Sequence, residues 1–357
     1  MNEKLRFAII GCGVIGPVHA AAITSLPDAE LVAVADSVPE RAQRLASEYG
    51  VKGYSDIDEM LRRERLDVVN ICTPSGQHGA WACRAMRSGR HVIVEKPMEI
   101  SRAGITEILQ VQQAMGVKLA VISQHRFDPA SQQVHQLLAE GALGRLTLGN
   151  ALIPWWRSQA YYDSGAWRGT WALDGGGVLM NQSIHSIDLL QWLMGRVASV
   201  YAYTDTIAHR METEDVAAAV LRFANGALGV IAATTGAYPG VTTRIEIYGD
   251  QGSAVIEDDT LGYLYLKRDE HAAAGDYGAN APSQAAEQAR ERDKSASTAQ
   301  NPAAVSWRGH ALQIADMIRA IRENGTPLVD GEAARHSVEI ILAIYESART
   351  RKEVTLS

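Results

Sequence analysis

Cysteine and long apolar runs are scarce in this chain, and each scarcity removes a class of function. Cys12, Cys72 and Cys83 are the only thiols in 357 residues, too few and too scattered for a disulfide framework, and they form no CxxC pair. No HExxH is present and the ten histidines lack ligand-like spacing, so a zinc site is not expected and metal-free chemistry is. No stretch reaches the roughly 18 consecutive apolar residues that a membrane-spanning helix needs. Nor does a signal-like apolar run follow a basic start, so a reduced, cytoplasmic protein is the expectation. Lys and Arg number 34 against 41 Asp and Glu, a formal net charge of −7. With no dense basic run, nucleic acid and anionic membrane surfaces drop out as partners.

What is present is ordinary globular material, 46% apolar and 21% charged, with length enough for two domains. The first third alternates apolar runs with amphipathic stretches, the pattern of βαβ units around a doubly wound parallel sheet. Strands are expected at Leu5 to Ile10, Glu30 to Ala35, Val68 to Cys72, His91 to Val94 and Lys118 to Ile122, with helices at Val18 to Ser25, Pro39 to Tyr49 and Gly79 to Ser88 between them. The texture changes after Gln124, so residues 1–123 form the expected first domain and 124–357 the second. There a helix around Ala130 to Glu140, a Trp/Tyr-rich segment, a glycine cluster and a helix from Val178 to Met194 precede a β-rich region, Val197 to Leu266. Turns at Ala224-Asn225-Gly226 and Gly249-Asp250-Gln251-Gly252 make that region a largely antiparallel, open sheet, and the domain α+β. An open face of this kind suits packing against another subunit, so a homodimer or homotetramer is expected. The segment 272–304, poor in large apolar residues, reads as a surface excursion, and two helices, Gly309 to Glu323 and Gly331 to Thr350, close the chain.

The chemistry begins where Phe7-Ala8-Ile9-Ile10 runs into Gly11-Cys12-Gly13-Val14-Ile15-Gly16. Strand, GxGxxG and helix in that order make a dinucleotide cradle. Gly11 permits the tight turn, Gly13 lets backbone approach a pyrophosphate, Gly16 lets helix close on sheet, and the helix N-terminal amides around Val14 and Ile15 face phosphate charge. Twenty residues beyond Gly16, Asp36 ends the next apolar strand. A carboxylate there accepts from both ribose hydroxyls and repels a 2′-phosphate, so the first domain is Rossmann-type and the cofactor expected is NAD. Two more loops leave strand ends and should border it: Thr73-Pro74-Ser75-Gly76-Gln77-His78 and Glu95-Lys96-Pro97.

Lys96 follows an apolar strand at the place where a side chain would enter the nicotinamide cleft. Far along the chain, Gly175-Gly176-Gly177 opens a helical stretch in which Asn181, His185 and Asp188 lie at i, i+4 and i+7, on one face. Oxidising an alcohol needs a base for the hydroxyl proton, work suited to histidine, and a cation that steadies the alkoxide. His185 and Lys96 are the candidates, with Asn181 as a substrate contact.

GCGVIG, the TPSGQH loop, EKP and GGGVLMNQSIHSID stand in the order and approximate spacing of the Gfo/Idh/MocA oxidoreductases, which the chain resembles over nearly its full length. The resemblance implies that Lys96 is the active-site lysine and His185 the acid/base histidine. The family often carries aspartate where this chain has Asn181, which can bond a hydroxyl but cannot accept its proton. Trp155-Trp156-Arg157, Tyr161-Tyr162-Asp163 and Trp167-Arg168-Gly169-Thr170 resemble the branch containing UDP-N-acetylglucosaminuronate 3-dehydrogenases. By that likeness Trp167 and Arg168 lie beside nicotinamide or substrate. Aromatic faces stack on pyranose rings and Arg or Tyr binds hydroxyls and carboxylates, so Trp156, Arg157, Tyr162 and Arg168, with Arg126 after a strand end, are expected substrate contacts. His125 and His310 are further pocket candidates. The expected reaction is NAD-dependent oxidation of a secondary ring hydroxyl, C3 of a sugar, glycoside or nucleotide sugar. Inositol or polyol oxidation, glycoside cleavage by transient C3 oxidation, and a non-catalytic dinucleotide sensor are the alternatives.

Overall fold

Strand β1 (Leu5–Ile10) has apolar residues on both faces, and Phe7, Ala8, Ile9 and Ile10 are fully buried, as a central parallel strand requires. The structure, a computed structural model, describes residues 3–267, 283 and 306–356. Two compact units divide the chain: one of 1–124, 166–176 and 305–338, the other of 125–165, 177–304 and 339–357.

In the first unit, α1 (Gly16–Thr24), β2 (Ala29–Ala35), α2 (Pro39–Tyr49), β3 (Lys52–Tyr54), α3 (Ile57–Arg63), β4 (Val68–Ile71), α4 (His78–Arg87), β5 (His91–Val94), α5 (Arg102–Met115) and β6 (Leu119–Val121) follow β1. All pairings are parallel, in the order β3-β2-β1-β4-β5-β6. The order reverses between β1 and β4, and at such a switch point a ligand crevice opens beyond the strands' carboxyl ends. Helix starts follow local rules: Asp56 accepts from the amides of Asp58 and Glu59, Ser101 accepts from Gly104, and Pro17 and Pro39 occupy first turns. The short edge strand β3 and helix α3 carry no apolar run long enough to read from the sequence.

The first unit's opening segment ends at residue 124, next to the expected boundary, and two later segments, 166–176 and 305–338, return to it. Helix α9 (Trp307–Arg322) returns to the first unit because Ala311, Ile314, Met317 and Ile318 join the core of Phe7, Ile9, Ala20 and Ile23. Gln313 locks it there, its amide oxygen accepting from Ser123 N at 2.9 Å and its amide nitrogen donating to the Val121 carbonyl. Residues 166–176 return likewise, as Gly76 donates to the Leu173 carbonyl at 2.8 Å.

The second unit holds α6 (Pro129–Ala139), β7 (Leu146–Pro154), α7 (Gln159–Asp163), α8 (Ile184–Met194), β8 (Val197–Asp205), β9 (Val216–Phe223), β10 (Leu228–Thr234), β11 (Arg244–Gly249), β12 (Gly252–Glu257), β13 (Thr260–Leu266) and β14 (Val354–Thr355). Its eight strands run β13-β12-β11-β7-β10-β9-β8-β14, antiparallel except for β7 and β10. Strand β9 alternates buried and outward residues, and α8 packs over β7 so closely that a Cβ on Gly149 would meet Met194 at 2.6 Å. Helix α10 (Gly331–Thr350) begins in the first unit and ends in the second. The excursion expected at 272–304 lies outside the described residues, Ser283 excepted.

Candidate active site

The nucleotide side is built from the turn after β1. Gly11 has φ +100°, and a Cβ there would meet the Cys72 carbonyl oxygen at 2.5 Å; a Cβ on Gly16 would meet the Gly11 carbonyl oxygen at 2.5 Å. Gly13 is different: its Cβ position has no protein atom within 4 Å, so protein packing does not demand a glycine there. Bare backbone facing open space at the start of α1, beside exposed Val14, fits a pyrophosphate. Asp36 is buried at the end of β2, and its two oxygens accept from Cys12 N and Val38 N, each at 2.8 Å. It therefore orders the glycine turn, and a carboxylate at the end of the second strand is what ribose recognition in such a fold uses. Those groups fit NAD. Burial, with Asp36 adding to it, pushes the Cys12 thiol up to about 12, so it stays a neutral packing group.

The two further loops are held together by His78. One ring nitrogen lies 2.6 Å from the Pro97 carbonyl and the other 2.8 Å from the Thr73 carbonyl, while burial lowers its basicity. Both carbonyls can only accept, so a neutral imidazole, with one N–H, donates to one of them, and His78 stands between the two loops as a strut. Pro74 and buried Ser75 start the turn against which residues 172–173 pack, and a Cβ on Gly76 would meet the Ala172 carbonyl oxygen at 2.4 Å. Trp167 and Arg168 thus stand in the same unit as this loop, the guanidinium 4.6 Å above the indole ring.

Glu95 is buried and committed to structure. It accepts from His19 Nε2 at 2.9 Å, from His310 Nε2 at 3.2 Å and from the Lys96 amide at 3.1 Å. Burial alone would raise its pKa, but the two imidazole donors hold it well below the carboxylate range. Asn70 bonds His19 Nδ1 at 2.7 Å, so the ring's proton sits on Nε2 and points at Glu95. His310, expected as a pocket candidate, instead lies inside α9, buried, on Glu95. Lys96 follows, half-buried, with a cis peptide to Pro97.

In the second unit the expected continuous helix from Val178 is a π-type segment, Val178–Ser183, leading into α8. The wider turn breaks the simple i, i+4, i+7 register. Across 178–191 every residue is buried except Asn181 and His185, which alone turn outward. Asp188 faces inward, to Arg126. Glu214 ties down the start of the segment, accepting from Gly177 N at 3.0 Å, Leu179 N at 2.9 Å and Tyr345 Oη at 2.9 Å. A Cβ on Gly177 would meet the Glu214 carbonyl oxygen at 1.9 Å, which explains the last glycine of the cluster.

Three expected substrate contacts are instead packing groups. Arg126 is 2% exposed and chelates Asp188. Arg157 is buried, donates to Gln182 Oε1 at 3.0 Å and lies 4.9 Å over Trp155. Tyr162 is buried with its hydroxyl 2.8 Å from Thr235 Oγ1, and burial raises its pKa. A charged or hydroxyl group satisfied out of solvent is costly to withdraw, so these residues hold the wall rather than form its surface. Trp156 is half-buried and meets exposed Tyr238 edge-on, ring centroids 5.3 Å apart. Sequence reading gives no role to Gln182, which stands within the GGGVLMNQSIHSID stretch and bonds both Arg157 and Tyr161, and misses Glu214 and Asp259, which no local motif marks.

The chain is similar to known proteins over both units. Residues 5–123 match the oxidoreductase family with an NAD-binding Rossmann fold, and residues 131–255 match the GFO/IDH/MocA C-terminal domain. The chain is 29% identical to inositol 2-dehydrogenase of Rhizobium meliloti across 71% of this chain and 76% of that protein. It is 34% identical to D-glucoside 3-dehydrogenase of Escherichia coli across 57% and 58% of the two chains. The WlbA dehydrogenase from Bordetella pertussis, solved with NADH and UDP-GlcNAcA, superposes with a TM-score of 0.86 at 32% identity over 99% of each chain.

Proposed function

Since the chain belongs to the GFO/IDH/MocA oxidoreductases and binds NAD through a Rossmann domain, we propose that it oxidises a secondary ring hydroxyl, at C3, of a nucleotide sugar or related glycoside. The observation that carries this reading is the outward pair Asn181 and His185 on an otherwise buried helical segment. In the reaction His185 takes the hydroxyl proton, Lys96 steadies the developing alkoxide, and Asn181 bonds a neighbouring hydroxyl. NAD supplies the hydride acceptor. Asn181 cannot relay a proton as a carboxylate would, so the proton stays with the imidazole until it leaves for solvent. Trp156, Trp167 and Arg168 supply ring stacking and an anion contact, which suits a substrate carrying a carboxylate or phosphate.

The likeness to a UDP-GlcNAcA-bound dehydrogenase over the full chain supports a nucleotide sugar; the likeness to inositol 2-dehydrogenase keeps a polyol as second substrate class. The outward face of the second sheet, with Leu148, Tyr203, Val220 and Leu228 exposed, supports a homodimer or homotetramer. Three buried, free thiols suit the reducing cytoplasm. NADH formation with UDP-GlcNAcA, simple glycosides and inositols at equal concentration tests the proposal. A UDP-sugar should give the highest kcat/KM; turnover of inositols alone would replace the nucleotide sugar with a polyol, and no turnover of any would remove the reading.

A further inference from the structure

His185 has a neighbour that the motif logic does not provide. The imidazole of His125 stands edge-on to that of His185, ring centroids 5.1 Å apart and planes at 76°. His125 is held from its other side: Nδ1 lies 2.8 Å from Asp128 Oδ2 and 2.9 Å from Asp259 Oδ1. Asp128 precedes α6 on the same turn, whereas Asp259, 134 positions away in sequence, comes from the tight turn between β12 and β13 and is 52% exposed at its side chain. A single ring nitrogen facing two carboxylates favours the doubly protonated ring, whose N–H both anions can share.

We propose that His125, gripped by Asp128 and Asp259, is a positioning residue for His185: its ring fixes the orientation of the His185 imidazole, and its positive charge keeps that imidazole neutral and able to accept a proton. This role stands in for the carboxylate partner that Asn181 cannot supply, and it rests on the assignment of His185 as the base. Burial opposes a charge on His125, but Asp259 and Asp128 outweigh it and carry its pKa well above the usual imidazole range. Several ionisable groups on the elements packed around the two rings have partners of their own. Arg126 neutralises Asp188 on α8, Arg244 meets Glu246 on β11, and Glu214 is bonded by the amides that open the π-type segment; His135 on α6 stacks on Trp192. Of these groups, the His125 ring is the one in direct ring contact with His185.

Two substitutions push the field at His185 in opposite directions. His125→Asn keeps a donor toward the carboxylates but removes the cation and leaves two anions, so the His185 pKa should rise by on the order of one unit. Asp259→Asn removes one anion from an exposed turn while Asp128 still holds His125 charged, so the His185 pKa should fall, by about half a unit. NMR titration of isotope-labelled histidine in the full-length protein reads this directly, the His185 signal being identified by its loss in His185→Gln. The acid limb of kcat/KM should move the same way in each variant, with NAD affinity unchanged. Opposite shifts support the proposal, since a loosened fold would not produce two signs. Unmoved titrations, or shifts of the same sign, overturn it. If His125→Asn does not fold, the sign of the Asp259→Asn shift alone decides. The titration needs no turnover, so it stands even where no sugar is oxidised; that result removes the sugar-oxidation reading instead.

Discussion

Arg126 donates through Nε and one Nη to both carboxylate oxygens of Asp188, at 2.7 and 2.6 Å, and both residues are buried. The pair fastens the turn after Gln124 to α8, and the Arg126 guanidinium also lies 5.4 Å over the Trp192 ring. Its value to the site is the steadiness it gives the helix bearing His185.

Removing one member of such a pair leaves an uncompensated buried charge, which typically costs about 3–5 kcal/mol. Arg126→Ala should lower the stability of the second unit by that order in urea unfolding, whereas Arg126→Met with Asp188→Leu should recover much of the loss. NAD binding by the first unit should be unchanged in both. A single variant as stable as the parent would show that the pair is not holding α8.

His185→Ala and Lys96→Ala remove the proposed proton acceptor and the proposed alkoxide cation, so each should lower kcat by about 10²- to 10⁴-fold. Neither residue belongs to the glycine turn or the Asp36 site, so the Kd for NAD, measured by fluorescence quenching, should change less than about threefold. Near-normal turnover in either variant would reassign the chemistry.

Gly11 and Gly13 should respond to alanine in opposite ways. At Gly11 the added methyl meets the Cys72 carbonyl and φ is +100°, so Gly11→Ala should cost roughly 1–3 kcal/mol or more of first-unit stability. At Gly13 nothing obstructs the methyl, so Gly13→Ala should fold with an unchanged melting temperature yet weaken NAD by about tenfold or more. Intact NAD affinity in Gly13→Ala would place the pyrophosphate elsewhere.

Asp36 orders the turn and is also the proposed ribose acceptor, so its substitution needs a control. Asp36→Ser keeps an acceptor near the Cys12 and Val38 amides but drops the charge that repels a 2′-phosphate. It should bind NAD about tenfold more weakly and narrow the preference over NADP by a similar factor. Cofactor preference measured by kcat/KM that does not move would contradict the ribose assignment.

The glycine turn and the parallel strands were legible because each rests on a local rule: a φ only glycine tolerates and an apolar run, whereas the periodicity that put Asp188 on the face of Asn181 and His185 failed at the π-type segment. Arg126, Arg157 and Tyr162 misled because residue type says what a side chain can bond, not whether the partner is a ligand or a buried neighbour such as Asp188, Gln182 or Thr235. The return of α9 to the first unit was invisible for a related reason: its apolar stripe announces burial without naming the surface it covers. Asp259 had no signal, since its meaning arises only when the β12–β13 turn reaches His125.

Glu214 gives the second unit a pH dependence with a defined sign. Burial raises its pKa more than the Leu179 and Gly177 amides and the Tyr345 hydroxyl lower it, which leaves it at about 7 against an ordinary 4.5. A carboxyl that holds its proton more tightly when folded adds stability below pH 4.5, and that stability is lost as pH rises through about 7. The full change is on the order of 3 kcal/mol. Glu214→Gln has no proton to lose, so thermal melts from pH 5 to 9 should show the parent declining relative to this variant. Tyr345→Phe removes a donor to the carboxylate and should move the decline to higher pH. Because Glu214 anchors the amides of Gly177 and Leu179, loosening of the segment that presents Asn181 and His185 should accompany the loss, seen as faster amide exchange at 177–181 above neutrality. Parent and Glu214→Gln curves that run parallel across this range would show that the carboxyl is already ionised in the acid half of the range and that its four donor contacts outweigh burial.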